Sequence, residues 1–384
     1  MKEGVEIGKP LNILFLMNAF HIGGLETLTL EIVRRLGGDR FSFRLLCLKE
    51  KGSLAPEMEA LGVPVRSGVL RGTYDPLGPF RLLRAVRGER IDILFVEPGR
   101  NALLCGEILG RFARVERRIS AVHATGKWGK ERMFRPSQIR MLRRMDGVIA
   151  CAARQRDYLI EHERLHPDNL KVIFNGVDHE RFRPAEGAPL PPIEGGPATG
   201  ERAVGIVASL TPEKGHDVFV DAAAIVAPRF PEARFLIIGE GPERPRIEER
   251  IRAKGLEGTV RLLGRRRDLP DLLPRLDLLA LSSHPFRETL PISTMEGMAC
   301  GVPTVNTDVG SVRDLVVDGE TGLLVPPGDA PAMAEAFART LGDPERAAAM
   351  GRAGRRRIEE RFTLDRAARE YADYFLSVAG AGGT

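Results

Sequence analysis

A chain of 384 residues is too long for one ordinary domain and suits two of about 100–200 residues each. Its 43% hydrophobic and 28% charged residues are those of a globular protein, which excludes a disordered or fibrous chain. A net charge of +5 suits a phosphorylated or acidic partner but is small for a dedicated nucleic-acid binder, and no RNA- or DNA-reading motif accompanies it.

From the N-terminus, the polar MKEGVEIGKP leads into LNILFLM (11–17), an apolar run of strand length and too short for a secretory leader. FRLLCLK (43–49), IDILFVE (91–97), RRISAVH (117–123), GVIAC (147–151) and LKVIF (170–174) predict further buried strands, separated by helix-period stretches such as Leu25–Leu36 and Leu77–Val86. Residues 184–202, PAEGAPLPPIEGGPATGER, are rich in proline and glycine and have no apolar period, which marks a linker or an exposed excursion. The alternation then restarts with RAVGIVASL (202–210), ARFLIIG (233–239), TVRLLG (259–264), LDLLALSS (276–283) and PTVN (303–306). Strands alternating with helices imply parallel sheets covered on both faces. The expected fold class is α/β, with two Rossmann-like parallel-sheet domains over 1–185 and 200–361 facing an interdomain cleft. An amphipathic helix over 362–378 closes the chain. No stretch reaches the roughly 20 apolar residues of a membrane span. Cys47, Cys105, Cys151 and Cys300 are far apart, which predicts no disulfide framework or zinc site and a reducing, cytoplasmic setting.

The most informative segment is SSHPFRETLPISTMEGMACGVPTV (282–305). It reads as strand, polar loop, and a helix starting near Pro291, so that Thr289, Leu290 and Pro291 sit at a helix N-terminus suited to an anion. Glu288 stands just before that terminus and Glu296 inside the helix, and each carboxylate can accept hydrogen bonds from vicinal hydroxyls of a sugar or ribose. Two glutamates alone, however, more often cap and solvate a helix. In ASLTPEKGHDVFVDAA (208–223), Lys214-Gly215 opens a helix after a strand, placing a compact cation where a diphosphate can approach; a loop lysine is also commonly a plain surface charge. Gly23-Gly24 lies between the first strand and first helix, suited to a close-approaching sugar or phosphate or to a simple tight turn. Gly239-Glu240-Gly241-Pro242 fails the dinucleotide fingerprint, because proline follows and no third glycine arrives. His123 ends its strand facing the expected cleft, where it can touch a donor sugar or an acceptor proton, or serve structurally.

Taken in order, Gly23-Gly24-Leu25-Glu26, Asn175-Gly176-Val177-Asp178, PEKG (212–215), GEGP (239–242), LLG (262–264), the Glu288/Glu296 pair and DGETGLLVPPGD (318–329) resemble the family 4 retaining glycosyltransferases of GT-B fold. The resemblance runs over nearly the whole chain and implies a hexosyltransferase that takes a nucleotide-diphosphate sugar, UDP-sugar favoured, and a hydroxyl acceptor: a sugar, a lipid-linked glycan or a small molecule. It implies an acceptor-binding N-terminal domain, a nucleotide-sugar-binding C-terminal domain, and a last helix that crosses back onto the former. It assigns Glu296 to the ribose, Glu288 to the donor-sugar hydroxyls, Lys214 to the leaving diphosphate, and His123 to a position beside the donor sugar. Gly23, Gly24 and the 289–291 backbone would contact sugar or phosphate, Gly239 would line the nucleotide site, and the base would lie against the loop after Gly264. No cofactor and no metal are implied. Two departures stand out: Ser209 replaces a customary arginine, leaving Arg265, Arg266 or another nearby arginine to supply that charge, and Thr289-Leu290 replaces a glycine-aromatic-glycine step. Competing readings are a GT-B sugar-nucleotide epimerase and a non-catalytic glycan- or partner-binding relative. Finally, residues 111–156 hold thirteen Lys/Arg against Glu116, Glu131 and Asp146, with Trp128, Met133 and Phe134 among them. Such a face suits peripheral contact with the inner face of a membrane or plain solvent.

Overall fold

A computed structural model describes residues 9–72, 75–123, 133–185, 193–285 and 288–380. These form two compact units, one built from the chain up to His123, from 133 to Asn175 and from Leu364 onward, the other from Gly176 through Thr363.

The first unit holds a seven-stranded parallel sheet: β1 (Leu11–Met17), β2 (Phe41–Cys47), β3 (Val65–Arg66), β4 (Ile91–Val96), β5 (Val115–Val122), β6 (Gly147–Ala150) and β7 (Leu170–Val172), in the order β3-β2-β1-β4-β5-β6-β7. The second holds six parallel strands: β8 (Arg202–Val207), β9 (Ala233–Ile238), β10 (Val260–Gly264), β11 (Leu278–Leu281), β12 (Thr304–Thr307) and β13 (Leu323–Val325), in the order β10-β9-β8-β11-β12-β13. Strands such as β4, IDILFV, are buried at every position, which is why they read as unbroken apolar runs. Two short strands, β3 and β13, have no such run, and β2 starts at Phe41, two residues before the expected FRLLCLK. Its register explains the shift, since Phe41 and Ser42 pair with Leu11 and Asn12 at the head of β1.

We label the helices used below α1 (Gly24–Leu36), α2 (Gly78–Ala85), α3 (Arg100–Phe112), α4 (His216–Val226), α5 (Ile292–Ala299), α6 (Ala330–Gly342), α7 (Pro344–Arg361) and α8 (Leu364–Gly380). In the second unit, Phe219 of α4 and Phe337 of α6 pack edge-on, with centroids 6.0 Å apart, and both pack on Phe235 of β9. In the first unit, α8 buries Leu364, Ala367, Ala368, Tyr371, Ala372 and Phe375, an i, i+3, i+4, i+7 stripe. Phe375 meets Phe41 and Phe95 edge-on, and Arg35 on α1 donates to Asp365 at 2.9 Å.

In each sheet the strand order reverses once, between β1 and β4 and between β8 and β11. Loops leaving the C-terminal ends of such a strand pair diverge to opposite faces and leave a crevice, the usual ligand position in open α/β sheets. The loop after β8 contains Ser209 and Lys214, and the loop after β11 contains Ser283 and Glu288.

Candidate active site

Lys214 ends a single 3₁₀ turn, Pro212–Lys214, and Gly215 follows in the left-handed region at φ 61° before α4 starts at His216. A side chain at Gly215 would meet the Ser282 carbonyl oxygen at 2.1 Å, so only glycine lets the two loops close on each other. That closure is fixed by Ser282 Oγ donating to the Lys214 carbonyl at 2.9 Å and by the His284 N–H donating to the Glu213 carbonyl at 2.8 Å. Lys214 Nζ consequently lies 2.6 Å from Glu288 Oε2, although 74 residues separate them. Glu288 is buried at 7% exposure, and the same oxygen accepts a second hydrogen bond, 2.8 Å long, from the fully buried Ser283 hydroxyl. A buried carboxylate needs such partners to stay charged. The ammonium is about one-quarter exposed and accessible to a ligand.

A third loop braces this arrangement from behind. Gly310, at φ 57°, stands where a Cβ would lie 2.3 Å from the Glu288 carbonyl oxygen, and the Ser311 N–H donates to the Thr289 carbonyl at 2.9 Å. Thr307 Oγ1 donates to the Ser283 carbonyl at 2.8 Å. Thr289 and Leu290 are buried, and their loop leads into α5, whose start is one residue later than expected, with Pro291 as its N-cap. The first N–H groups of a helix lack internal acceptors and carry a partial positive charge.

Glu296 lies on α5, mostly withdrawn from solvent, and holds no hydrogen bond or ion pair among the described residues. Burial pushes its carboxyl up to about 7, with Arg181 pulling weakly in the other direction. Its environment is therefore opposite to that of Glu288, whose Oε2 accepts from both Ser283 and Lys214.

The glycines after β9 and β10 fit close packing of backbone. Gly239, at φ 147°, would bring a Cβ within 1.9 Å of the Ala208 carbonyl oxygen, and Gly241 would bring one within 2.4 Å of the Leu210 carbonyl oxygen. Gly264, at φ 68°, borders the Glu240 carboxylate. Ser209 is exposed, with its hydroxyl 3.4 Å from that of Thr211. Of the two arginines considered as replacements for the charge missing there, Arg266 is committed to Asp268 and to the Glu194 carbonyl. Arg265 is exposed, with no ion pair recorded among the described residues.

Gly23, Gly24 and His123 belong to the first unit. Gly23 is the extended N-cap of α1, where a Cβ would collide with the Glu26 carboxylate. His123 follows β5, and neither ring nitrogen has a hydrogen-bond partner; burial lowers its pKa to about 4, so the imidazole is neutral. Sequence reasoning overlooks the equivalent of the Lys214/Glu288 contact here: Glu97 after β4 accepts from the Asn18 backbone N–H at 2.6 Å and from its side-chain amide at 3.2 Å. It also passes over Ser283, Gly310 and Ser311, which stand two to four residues beyond the ends of β11 and β12.

Part of the basic 111–156 segment is engaged within the fold. Arg117 pairs with Asp146, Arg118 and Arg144 with Glu107, and Phe134 is buried. Trp128, Lys127, Lys130 and Arg132 lie outside the described residues. Among the described residues no three His, Cys, Asp or Glu side chains cluster as metal ligands, and no helix is long and apolar enough to cross a membrane.

Residues 22–181 match the model of Glycosyltransferase Family 4, and residues 193–357 match that of Glycosyl transferases group 1. The chain is 33% identical over 249 residues to the lipopolysaccharide core biosynthesis mannosyltransferase LpsB of Rhizobium meliloti, covering 62% of this chain and 67% of that one. It is 29% identical to a D-inositol 3-phosphate glycosyltransferase of Thermobispora bispora, covering 92% and 89% of the two chains. The crystal structure of Anabaena Alr3699/HepE in complex with UDP and glucose superposes with a TM-score of 0.81 at 23% identity, covering 96% of this chain and all of that one, and so has the same fold. With two parallel-sheet units, both family models and these relatives in agreement, the chain belongs to the family 4, group 1 glycosyltransferases of GT-B fold.

Proposed function

We propose that this glycosyltransferase moves a hexosyl group from a nucleotide-diphosphate sugar, with UDP-sugar favoured, to a hydroxyl acceptor with retention of anomeric configuration, in the assembly of a glycan, glycolipid or other glycoconjugate. The observation that supports it most is the 2.6 Å contact of Lys214 with the buried Glu288 at the reversal point of the second sheet. The preference for UDP rests on the HepE complexes with UDP and UDP-glucose.

In this reading Lys214 meets the negative charge that collects on the departing diphosphate, together with the N-terminus of α5. Once Lys214 has turned from Glu288 to the bound diphosphate, both stand in place before bond cleavage and stabilise the transition state with little further reorganisation. Glu288 accepts hydrogen bonds from the donor-sugar hydroxyls, and Ser283 holds its carboxylate while Lys214 turns to phosphate. Glu296 accepts from the ribose hydroxyls. Thr289, Leu290 and Pro291 shape the phosphate approach, and Gly239, Gly264 and Arg265 border the nucleotide. From the first unit, which we assign to the acceptor, Gly23 and Gly24 contribute backbone, and His123 contributes a neutral imidazole. The acceptor proton leaves through a departing phosphate oxygen, and neither a metal nor a cofactor has a part in the scheme.

A panel of UDP-, GDP- and ADP-sugars, screened for diphosphate release in the presence of sugar and lipid-linked acceptors, tests the reading. Lys214→Ala and Glu288→Ala should each lose most turnover while remaining folded, with a melting temperature lowered by the broken pair. Near-normal turnover in either variant overturns the site, and a product of inverted anomeric configuration overturns the stereochemistry.

A further inference from the structure

Among the described residues, five large apolar side chains are more than half exposed, and four of them lie on two neighbouring helices of the first unit: Leu77 and Phe80 at α2, Leu104 and Phe112 on α3. Their exposures are 64%, 66%, 54% and 66%. Scattered exposed leucines need no explanation, but a concentration of this kind on one flank marks a contact surface.

The charges beside them have one sign. Phe80 and Arg84, four residues apart, share an exposed face of α2 beside its N-cap Leu77, and the exposed Arg87 follows just past its C-terminus. Phe80, Arg84 and Arg87 line one open groove together with Phe112 and Arg114. Arg111, at the end of α3, lies over the Phe112 ring at 5.6 Å. None of these four arginines has an ion pair recorded among the described residues. The acids bordering the groove are already neutralised, Glu89 by Arg44 and Arg66, Glu116 by Arg90. The flank therefore offers apolar side chains ringed by uncompensated cations.

We propose that this α2/α3 flank is a docking surface for an anionic lipid bilayer. Phe80, Phe112 and the leucines would enter the interface between headgroups and acyl chains, while Arg84, Arg87, Arg111 and Arg114 meet lipid phosphates. The charge complementarity selects a bilayer over a second copy of the chain, whose same face would bring arginines against arginines. The surface takes only the start of the 111–156 segment suggested by composition, Arg111, Phe112 and Arg114, and joins it to α2; farther along, Phe134 is buried and Arg117, Arg118 and Arg144 are ion-paired within the fold.

The test is co-sedimentation of the full chain with phosphatidylcholine vesicles, with and without phosphatidylglycerol, at low and high salt. Binding is expected to anionic vesicles and to fall steeply with salt. Arg84→Glu/Arg87→Glu/Arg114→Glu should weaken it by on the order of a hundredfold, from about fivefold per cation. Phe80→Ser/Phe112→Ser should also abolish stable binding. Both variants should keep the melting temperature and the turnover with a soluble acceptor, because neither touches the Lys214–Glu288 region. Equal binding to neutral vesicles, or undiminished binding by the triple variant, overturns the proposal. So does absence of vesicle binding combined with a concentration-dependent dimer that the Phe80→Ser/Phe112→Ser variant dissolves, which assigns the face to self-association. Failure here leaves the transferase reading intact.

Discussion

Replacing Glu296 with glutamine should make the protein's stability and its nucleotide binding respond differently to pH. Burial moves the Glu296 carboxyl from 4.5 up to about 7, with no hydrogen bond or ion pair among the described residues to hold the charge. The folded protein thus holds this proton more tightly than the unfolded chain. The resulting contribution to stability is complete below about pH 4.5 and is lost as pH rises through 7. A difference of about 2.5 units at 1.36 kcal/mol per unit gives on the order of 3 kcal/mol as an upper bound for burying the charge. Glu296→Gln has no charge to bury, so its stability relative to the natural protein should climb between about pH 5 and pH 7 and level off above. Urea unfolding at intervals of about one pH unit measures this. Ribose hydroxyls donate hydrogen bonds, so nucleotide should prefer the ionised carboxylate and release a proton on binding near neutral pH. Titration calorimetry of UDP in two buffers of different ionisation heat would show that proton in the natural protein and not in Glu296→Gln. Parallel stability curves for the two proteins, with no difference in proton release, would refute the reasoning.

Ser283→Ala removes a charge-assisted hydrogen bond to a buried carboxylate, an interaction of about 1.5–3 kcal/mol. Turnover should fall roughly ten- to hundredfold, with Ser283→Thr recovering part of it; steady-state kinetics decide. Gly310→Ala forces a Cβ against the Glu288 carbonyl at φ 57°, and should lower both the melting temperature and donor affinity, the latter read by thermal shift with UDP. Phe375→Ala empties a fully buried site between Phe41, Phe95 and Tyr371, and should cost about 3–5 kcal/mol in denaturant unfolding with no change in nucleotide affinity.

The sheets are the most legible part of the sequence. Parallel strands covered on both faces must be apolar throughout, so β1, β4, β8 and β9 stand out as short unbroken runs. Strands β3 and β13 escape notice because two or three residues carry no period. Within the candidate site, Lys214 and Glu288 are noticeable singly, as a cation before a helix and an acid at a loop end. Their contact depends on strand order, since β8 and β11 must be neighbours before residues 74 apart can meet. The same holds for Asn18 and Glu97, which lie 79 residues apart on loops after the neighbouring strands β1 and β4. Gly310 is harder still, because its need for glycine comes from the backbone of Glu288, not from its own turn.

The course of the chain through α8 has a consequence for biosynthesis. The first unit's aromatic core includes Tyr371 and Phe375, which emerge from the ribosome only after all of the second unit. Until then its sheet lacks the side chains that cover Phe41 and Phe95. The second unit, continuous from Gly176 to Thr363, can complete its own core earlier, so the usual N-terminal-first order of domain folding is reversed. A nascent or proteolysed chain ending near residue 361 would expose the first sheet's apolar face, and quality control would meet it there. A fragment ending at 175 would share that defect, and grafting residues 364–380 onto it is the simplest way to restore an independent domain.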